Sequence, residues 1–219
     1  GSTTDPEARF KVDETQVQVL YDPNRKAMVV DPILIRIGAN RFALSAIVEA
    51  PKGNETTWPV SIEQGMLSLS TGQDGETPLV LNRLNVRAVY DPVLHRLIIQ
   101  QGDLSGMTTG AAFSGSLSFG PTPMLALGIA ATKMPVSAAK KLWPALIAAG
   151  TRGWAMDRIE SGVIERILIA LNVPLDSIGR PDVELPDPAV RFEMTASGAS
   201  FRPTANLPLL RDAQVTAVV

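Results

Sequence analysis

The chain has no cysteine in its 219 residues. That excludes disulfides, thiolate catalysis and cysteine-ligated zinc, and it leaves the compartment open. Histidine occurs once, as His95. A Ser-His-acid triad would have to use it, and no Gly-x-Ser-x-Gly elbow accompanies it. Its place after a turn, beside Arg96, reads as a turn residue rather than a catalytic base. Charge of one sign is lacking too. Lys and Arg number 20 against 22 Asp and Glu, for a net charge of -2. No basic stripe is present to hold nucleic acid. No run approaches the roughly 18 apolar residues of a membrane-spanning helix. No signal peptide is visible. Gly1-Ser2 reads as the remnant of a cleaved tag, and the strand-like QVTAVV at the far end has no closing turn. The expectation is a piece of something longer, with its anchor elsewhere.

What is present is β pattern. Hydrophobic residues make up 45%, enough for a folded core. Val17, Val19 and Tyr21 alternate with Gln16, Gln18 and Leu20, as in a half-buried strand. Ala27–Val30 and Ile33–Ile37 read as strand pieces broken by Pro32, which implies an edge or a bulge. Phe42, Leu44, Ala46 and Val48 share one face. Val60–Ile62 and Met66–Ser70 read as two short strands, Gly102–Gly110 as a loop or weak strand, and Ala111–Phe119 as a strand of small residues. Leu84, Val86, Ala88 and Tyr90 form the clearest apolar face. Val163–Leu171, Val190–Ala196 and Ala213–Val219 continue the pattern. Period-2 alternation without alternating helices predicts an antiparallel meander, not a parallel βαβ sheet.

An internal repeat runs through the first half. QVQVLYDPNRKAMVV starts at Gln16 and NVRAVYDPVLHRLII at Asn85, and their tyrosines lie 90 − 21 = 69 residues apart. In each copy an alternating strand enters Tyr-Asp-Pro, where proline and aspartate favour a turn. An apolar strand then leaves it, and a further strand rises out of a turn in each copy, ANRFALSAIVEA and TGAAFSGSLSF.

One long segment reads as helix, Met134 to Ser161. Ser137 is a plausible N-cap. Pro144 divides the segment into a helix up to Trp143 and a second from Pro144. Leu142, Leu146 and Ala149 fall on one face, with Trp143, Ile147 and Trp154 beside them. Such a helix either closes an ordinary core or lids a groove that holds an apolar guest. The remaining chemical signals are weak. Asp182, Glu184 and Asp187 lack the spacing of a calcium loop. Asp157 and Glu160, one helical turn apart, read as surface partners of Arg158 or solvent. Gly102–Gly106 lacks the Lys-Ser/Thr of a phosphate loop. No cofactor, metal or catalytic group is expected, so an enzyme is disfavoured.

Three sets of residues resemble the AsmA-like superfamily, in its YhdP-type periplasmic branch of Gram-negative bacteria, related to AsmA and TamB. The first is Trp58-Pro-Val-Ser-Ile-Glu-Gln-Gly65 followed by Leu79–Val86 and the Tyr90-Asp91-Pro92 hairpin. The second is Leu142-Trp143-Pro144 followed by Thr151-Arg152-Gly153-Trp154. The third is Phe201-Arg202-Pro203-Thr204 with Leu207–Ala213. The resemblance covers nearly all of residues 10–219. Full members are much longer and begin with a membrane-anchoring helix.

The resemblance implies a mainly β fold: an elongated, curved antiparallel sheet with a groove-like apolar face and one short helical segment. The expected division is 3–132 for the hairpin repeats, 133–161 for a helical segment on the sheet, and 162–219 for further strands. The implied role is to bind or conduct phospholipid, or another acyl lipid, along the groove between the inner and outer membranes through the periplasm. Ile33, Ile35, Ile37, Phe42, Leu44, Leu84, Val86, Leu117, Ile167 and Ile169 are the candidate lining. Leu142, Trp143, Leu146, Ile147 and Trp154 are the candidate lid. Other envelope proteins are possible partners, and the family carries no catalytic residues to transfer. The alternatives are a scaffold for outer-membrane biogenesis, in which an open strand edge takes a partner strand, and, less favoured, a hydrolase built near His95 or Asp103.

Overall fold

The computed structural model describes residues 12–143, 149–178, 180, 189–204 and 206–218. Eleven antiparallel strands form one sheet in sequence order. They are β1 (Glu14–Asp22), β2 (Ala27–Ile37), β3 (Asn40–Glu49), β4 (Trp58–Leu69), β5 (Leu79–Asp91), β6 (Arg96–Gly106), β7 (Gly110–Ser118), β8 (Met124–Pro135), β9 (Ile159–Pro174), β10 (Val190–Phe201) and β11 (Leu210–Val218). Two short helices, α1 (Val136–Leu142) and α2 (Ala149–Arg158), lie between β8 and β9. The sheet is a mainly β meander and does not close, since β1 and β11 remain its two edges. Among the described residues no helix is long and apolar enough to cross a membrane.

Several strands are longer than the sequence pattern indicates, and the reason is bulges. The Pro32 region is not an end: β2 runs through it, with a register shift between Val30 and Ile33. A bulge absorbs the residue that cannot donate to the ladder. β4 likewise joins Val60–Ile62 to Met66–Leu69 across a shift beside Ser45 and Ala46. Gly102–Gly106 belongs to β6. β8 has no counterpart in the sequence reading, because MLALGIAATK places small or apolar residues on both faces and hides the period of two. Gly115 of β7 explains one small residue there. A Cβ on it would stand 2.2 Å from the Ala126 carbonyl oxygen and 3.0 Å from the Leu127 Cα, so only glycine lets β7 and β8 approach so closely.

The 69-residue repeat extends well beyond the turn. Asp22 Oδ1 accepts the N–H groups of Asn24 and Arg25 at 2.9 and 3.2 Å, and Asp91 Oδ1 accepts those of Val93 and Leu94 at 2.9 and 3.0 Å. Lys26 and His95 both take the left-handed conformation, with φ of 51° and 47°. Their carbonyls accept the N–H groups of Ala50 and Phe119 at 2.9 and 2.8 Å. The bulge repeats as well: Ile33 pairs with Leu44 and Val30 with Ala46, as Gly102 pairs with Phe113 and Ile99 with Gly115. Strands β2–β3 and β6–β7 are therefore the same structural unit in the same register.

The helical segment is shorter than expected. β8 continues to Pro135 and β9 starts at Ile159, so the sheet crosses the 133–161 segment on both sides. Ser137 does not cap α1. Pro135 occupies the N-cap position and makes no side-chain cap bond. Extended Pro135 leaves β8 straight into the helix, so the helix begins before Ser137. Pro144, Leu146 and Ile147 lie outside the described residues, as do Asp182, Glu184 and Asp187, and nothing is described of the Ala149 side chain.

Candidate functional site

Residues paired across an antiparallel ladder project from the same face. Following the pairs from strand to strand therefore traces the surface of that face. One row runs Val19–Val30–Ala46–Ile62–Val86–Gly102–Phe113–Ile129–Ile169–Phe192. The next, toward the Tyr-Asp-Pro turns, runs Tyr21–Met28–Val48–Val60–Ala88–Ile99–Gly115–Leu127–Leu171–Val190. On its other side lies Leu84–Leu104–Ala111–Ala131–Ile167–Met194–Ala217. Apart from the Tyr21 hydroxyl, no side chain in these rows carries a polar group.

All ten candidate lining residues fall on this face. Val86 and Ile169 are in the first row, and Leu84 and Ile167 in the third. Ile33 pairs with Leu44 and Ile35 with Phe42, and Ile37 follows along β2. Leu117 pairs with Leu97 and Leu125 nearer the turns. Leu44 and Leu84 close over Gly65, whose absent Cβ would stand 2.9 Å from Leu44 Cδ2 and 2.8 Å from Leu84 Cβ. Of the ten, Leu84 alone is fully buried and the other nine are half-buried.

The opposite face is hydrogen-bonded and wet. Arg87 Nη2 donates to Gln101 Oε1 at 3.0 Å, Asn85 Nδ2 to Asp103 Oδ2 at 3.0 Å, and Arg96 Nη2 to Ser116 Oγ at 2.7 Å. Two open depressions lie there. One, of about 610 Å³, has a floor of Ala112, Gly128, Ala130 and Ala170 under Arg191 and Glu193. The other, of about 570 Å³, sits at Asp31, Pro32, Ala43 and Ser45. They occupy equivalent places in the two repeat units, because both open at the bulge. Arg191 and Glu193 are paired to each other at 2.7 Å, so the two charged side chains at the first depression neutralise each other. Among the described residues no cluster of His, Asp or Glu could hold a metal ion. His95 is exposed in its turn, and Asp103 is engaged by Asn85.

The helices cover only one end of the apolar face. α1 lies against β8 and β9, and α2 against β9. Beneath them Met134, Val136, Ile164, Ala131 and Ala196 form a buried cluster, with Leu142 and Ile159 packed against it. Lys140 Nζ of α1 donates to the carbonyls of Met156, in the last turn of α2, and of Ile159, just beyond it, where a helix leaves carbonyls without intrahelical partners. Burial pushes the Lys140 pKa below the usual lysine range, and the charge of Asp157 opposes that shift.

α1 also reaches across to the β4–β5 connection. Lys141 Nζ donates to the Thr77 carbonyl at 2.6 Å and lies 3.4 Å from Glu76 Oε1. Glu76 Oε2 accepts from Ser70 Oγ at 2.6 Å, Thr71 N–H at 2.8 Å and Thr71 Oγ1 at 2.9 Å. Burial disfavours its charge, but these bonds together with Lys141 outweigh that and hold its pKa down to about 2. Glu76 thus fastens the helical cover to the far side of the face. Within TGQDGETP it looks like any loop acid, and only the fold brings Lys141 to it.

Among the candidate lid residues, Leu142 packs on the cluster. Trp143 ends α1, and its carbonyl accepts from Arg152 Nε at 3.0 Å. Trp154 is 43% exposed and donates from Nε1 to the Pro203 carbonyl at 3.2 Å. Asp157 and Glu160 are not a functional couple: Glu160 pairs with Arg202 at 3.2 Å. The parts of the first motif group pair with each other, and the second group bonds to the third. Trp58–Gly65 and Leu79–Val86 are ladder neighbours, Arg152 holds Trp143, and Trp154 holds Pro203.

No protein-family model matches the chain, and neither a curated protein nor a solved structure does. The likeness to AsmA-like proteins therefore rests on those motifs.

Proposed function

We propose that the apolar face is a lipid-binding surface, and that the chain is an AsmA-like periplasmic segment that holds or conducts phospholipid tails between two membranes. The observation that supports this most is the extent of the uncovered face. At about 4.8 Å per strand, eleven strands span on the order of 45 Å, and among the described residues the helices pack mainly on β8 and β9, with side-chain bonds from α1 to the β4–β5 connection and from α2 to Pro203. Monomers rarely expose a contiguous apolar patch of more than a few hundred Å², so an apolar face that crosses most of the sheet supports a binding surface. One phospholipid tail covers about 15 Å, half of a ~30 Å hydrocarbon core, so the rows are wide enough to seat one. Each methylene removed from water contributes about 0.8 kcal/mol, and this attraction has no direction. A tail can slide from one row to the next without breaking a specific bond. The rows are apolar, aliphatic but for Tyr21, Phe113 and Phe192, unlike an enzyme site with its converging polar groups.

The purified protein is expected to carry phospholipid into organic extracts, detected by mass spectrometry. Extracts free of acyl lipid, from protein that also fails to take up added phospholipid, would refute the reading. A second reading is favoured by a different feature. β1 presents an open edge with Val17, Val19 and Tyr21 exposed at 51%, 56% and 66%, and a partner strand can add to such an edge. On that reading the chain is a scaffold for envelope assembly, and a stable protein partner that masks β1 would be its signature.

A further inference from the structure

The two repeat units share one hairpin geometry but carry opposite tips. In the first unit the tip residues are Asn24 and Arg25, with Ala50 behind them. In the second, at the same spacing, they are Val93, Leu94 and Phe119. The backbone does not require the change. Both turns are held by the aspartate carboxylate and by a left-handed residue whose carbonyl accepts the same cross-loop bond. Val93, Leu94 and Phe119 are 70%, 64% and 52% exposed, so they gain little from the fold. The Phe119 ring is fixed beside the tip, edge-on to Tyr90 at 6.5 Å.

We propose that this second hairpin tip is a membrane contact, which seats Val93, Leu94 and Phe119 in the interfacial layer of a phospholipid bilayer. Three observations favour a bilayer over a protein. The knob is three side chains wide, well short of the ~800 Å² per partner that a stable protein interface buries, whereas a fluid bilayer accepts apolar tips without a matching shape. Arg96 beside it offsets the charge of Asp91, which is bonded to the turn N–H groups, so the tip carries no net negative charge to repel a headgroup layer. The knob is also continuous with the apolar face. Tyr90, Leu97 and Leu117 lie on that face at the turn end, opposite the helices. A tail leaving a bilayer there would meet apolar side chains all the way in. The inference extends the lipid reading and is tested apart from it.

The test is flotation of the whole chain with vesicles of mixed phosphatidylcholine and phosphatidylglycerol. The variants are Val93→Asn with Leu94→Gln, and separately Phe119→Ala. The twin turn carries polar residues at both tip positions, so the double variant keeps the hairpin, which an unchanged melting temperature confirms. Vesicle partition at least tenfold weaker in the double variant and several-fold weaker in Phe119→Ala supports the proposal. Equal partition of wild type and double variant overturns it. So does absence of wild-type binding, or loss of a protein partner in place of vesicle binding. Acyl lipid still extracted from the double variant would leave the groove standing even where the tip fails.

Discussion

Met134 and Ile35 are both apolar and lie on the same face of the same sheet, but they live in different environments. Met134 is 2% exposed under the helices, with Thr109 Oγ1 against its sulfur at 3.4 Å. Ile35 is half-buried, with ladder neighbours on either side and no helix above it. The covered end behaves as a small hydrophobic core, and the bare expanse behaves as a surface. The largest cluster of buried side chains is at the covered end, while elsewhere on the face buried residues such as Leu84 and Ala88 stand among half-buried ones.

Substitutions should separate the two regions, most sharply at the covered end. Met134→Ala removes a buried side chain from the cluster and is expected to cost about 2–5 kcal/mol, read as a lower denaturant midpoint. Gly115→Ala probes the ladder itself. A Cβ against backbone cannot be absorbed by a rotamer change, so a loss of about 1–3 kcal/mol is expected by the same measurement.

Lys141→Met tests whether the clasp holds the cover in place. A loss of about 1 kcal/mol is expected, with faster amide exchange confined to α1 and the β4–β5 connection. Its pH dependence has a definite sign. The Glu76 pKa is lowered from 4.5 to about 2 in the folded chain, so its contribution is fully present above pH 4.5 and is lost as pH falls toward 2. Glu76→Gln should flatten the stability profile over that window, and an unchanged profile would remove Glu76 as the fastener. On the bare side Val17→Ser should shift stability by no more than about 0.5 kcal/mol. A loss as large as that of Met134→Ala would mean the expanse is a core after all.

The bare region was the more legible of the two in sequence. Strict alternation at Phe42–Val48 and Leu84–Tyr90 announces strands with one apolar face, and the ladder register then aligns those faces. The Tyr-Asp-Pro repeat identified its turns because aspartate and proline act locally. The strand that follows in each copy, ANRFALSAIVEA and TGAAFSGSLSF, was legible too, but the matching bulges at Pro32 and Gly102 were hidden because they shift the alternation. β8 was invisible because alanine, glycine and leucine occupy both of its faces. The Lys141–Glu76 clasp was equally hidden: the two residues are far apart in sequence, and nothing local marks either of them. Whether an apolar row is covered by other parts of the chain is not a local property, and the placement of the helices against β8 and β9 shows it only for that end of the face.

Photo-crosslinking in living cells tests the central claim most directly, with the reactive group at Ile35 or Val86 on the apolar face and at Arg87 on the other. Lipid adducts at the first two positions and none at Arg87 are the predicted result. Adducts absent from all three, or equal on both faces, would contradict a lipid-bearing face.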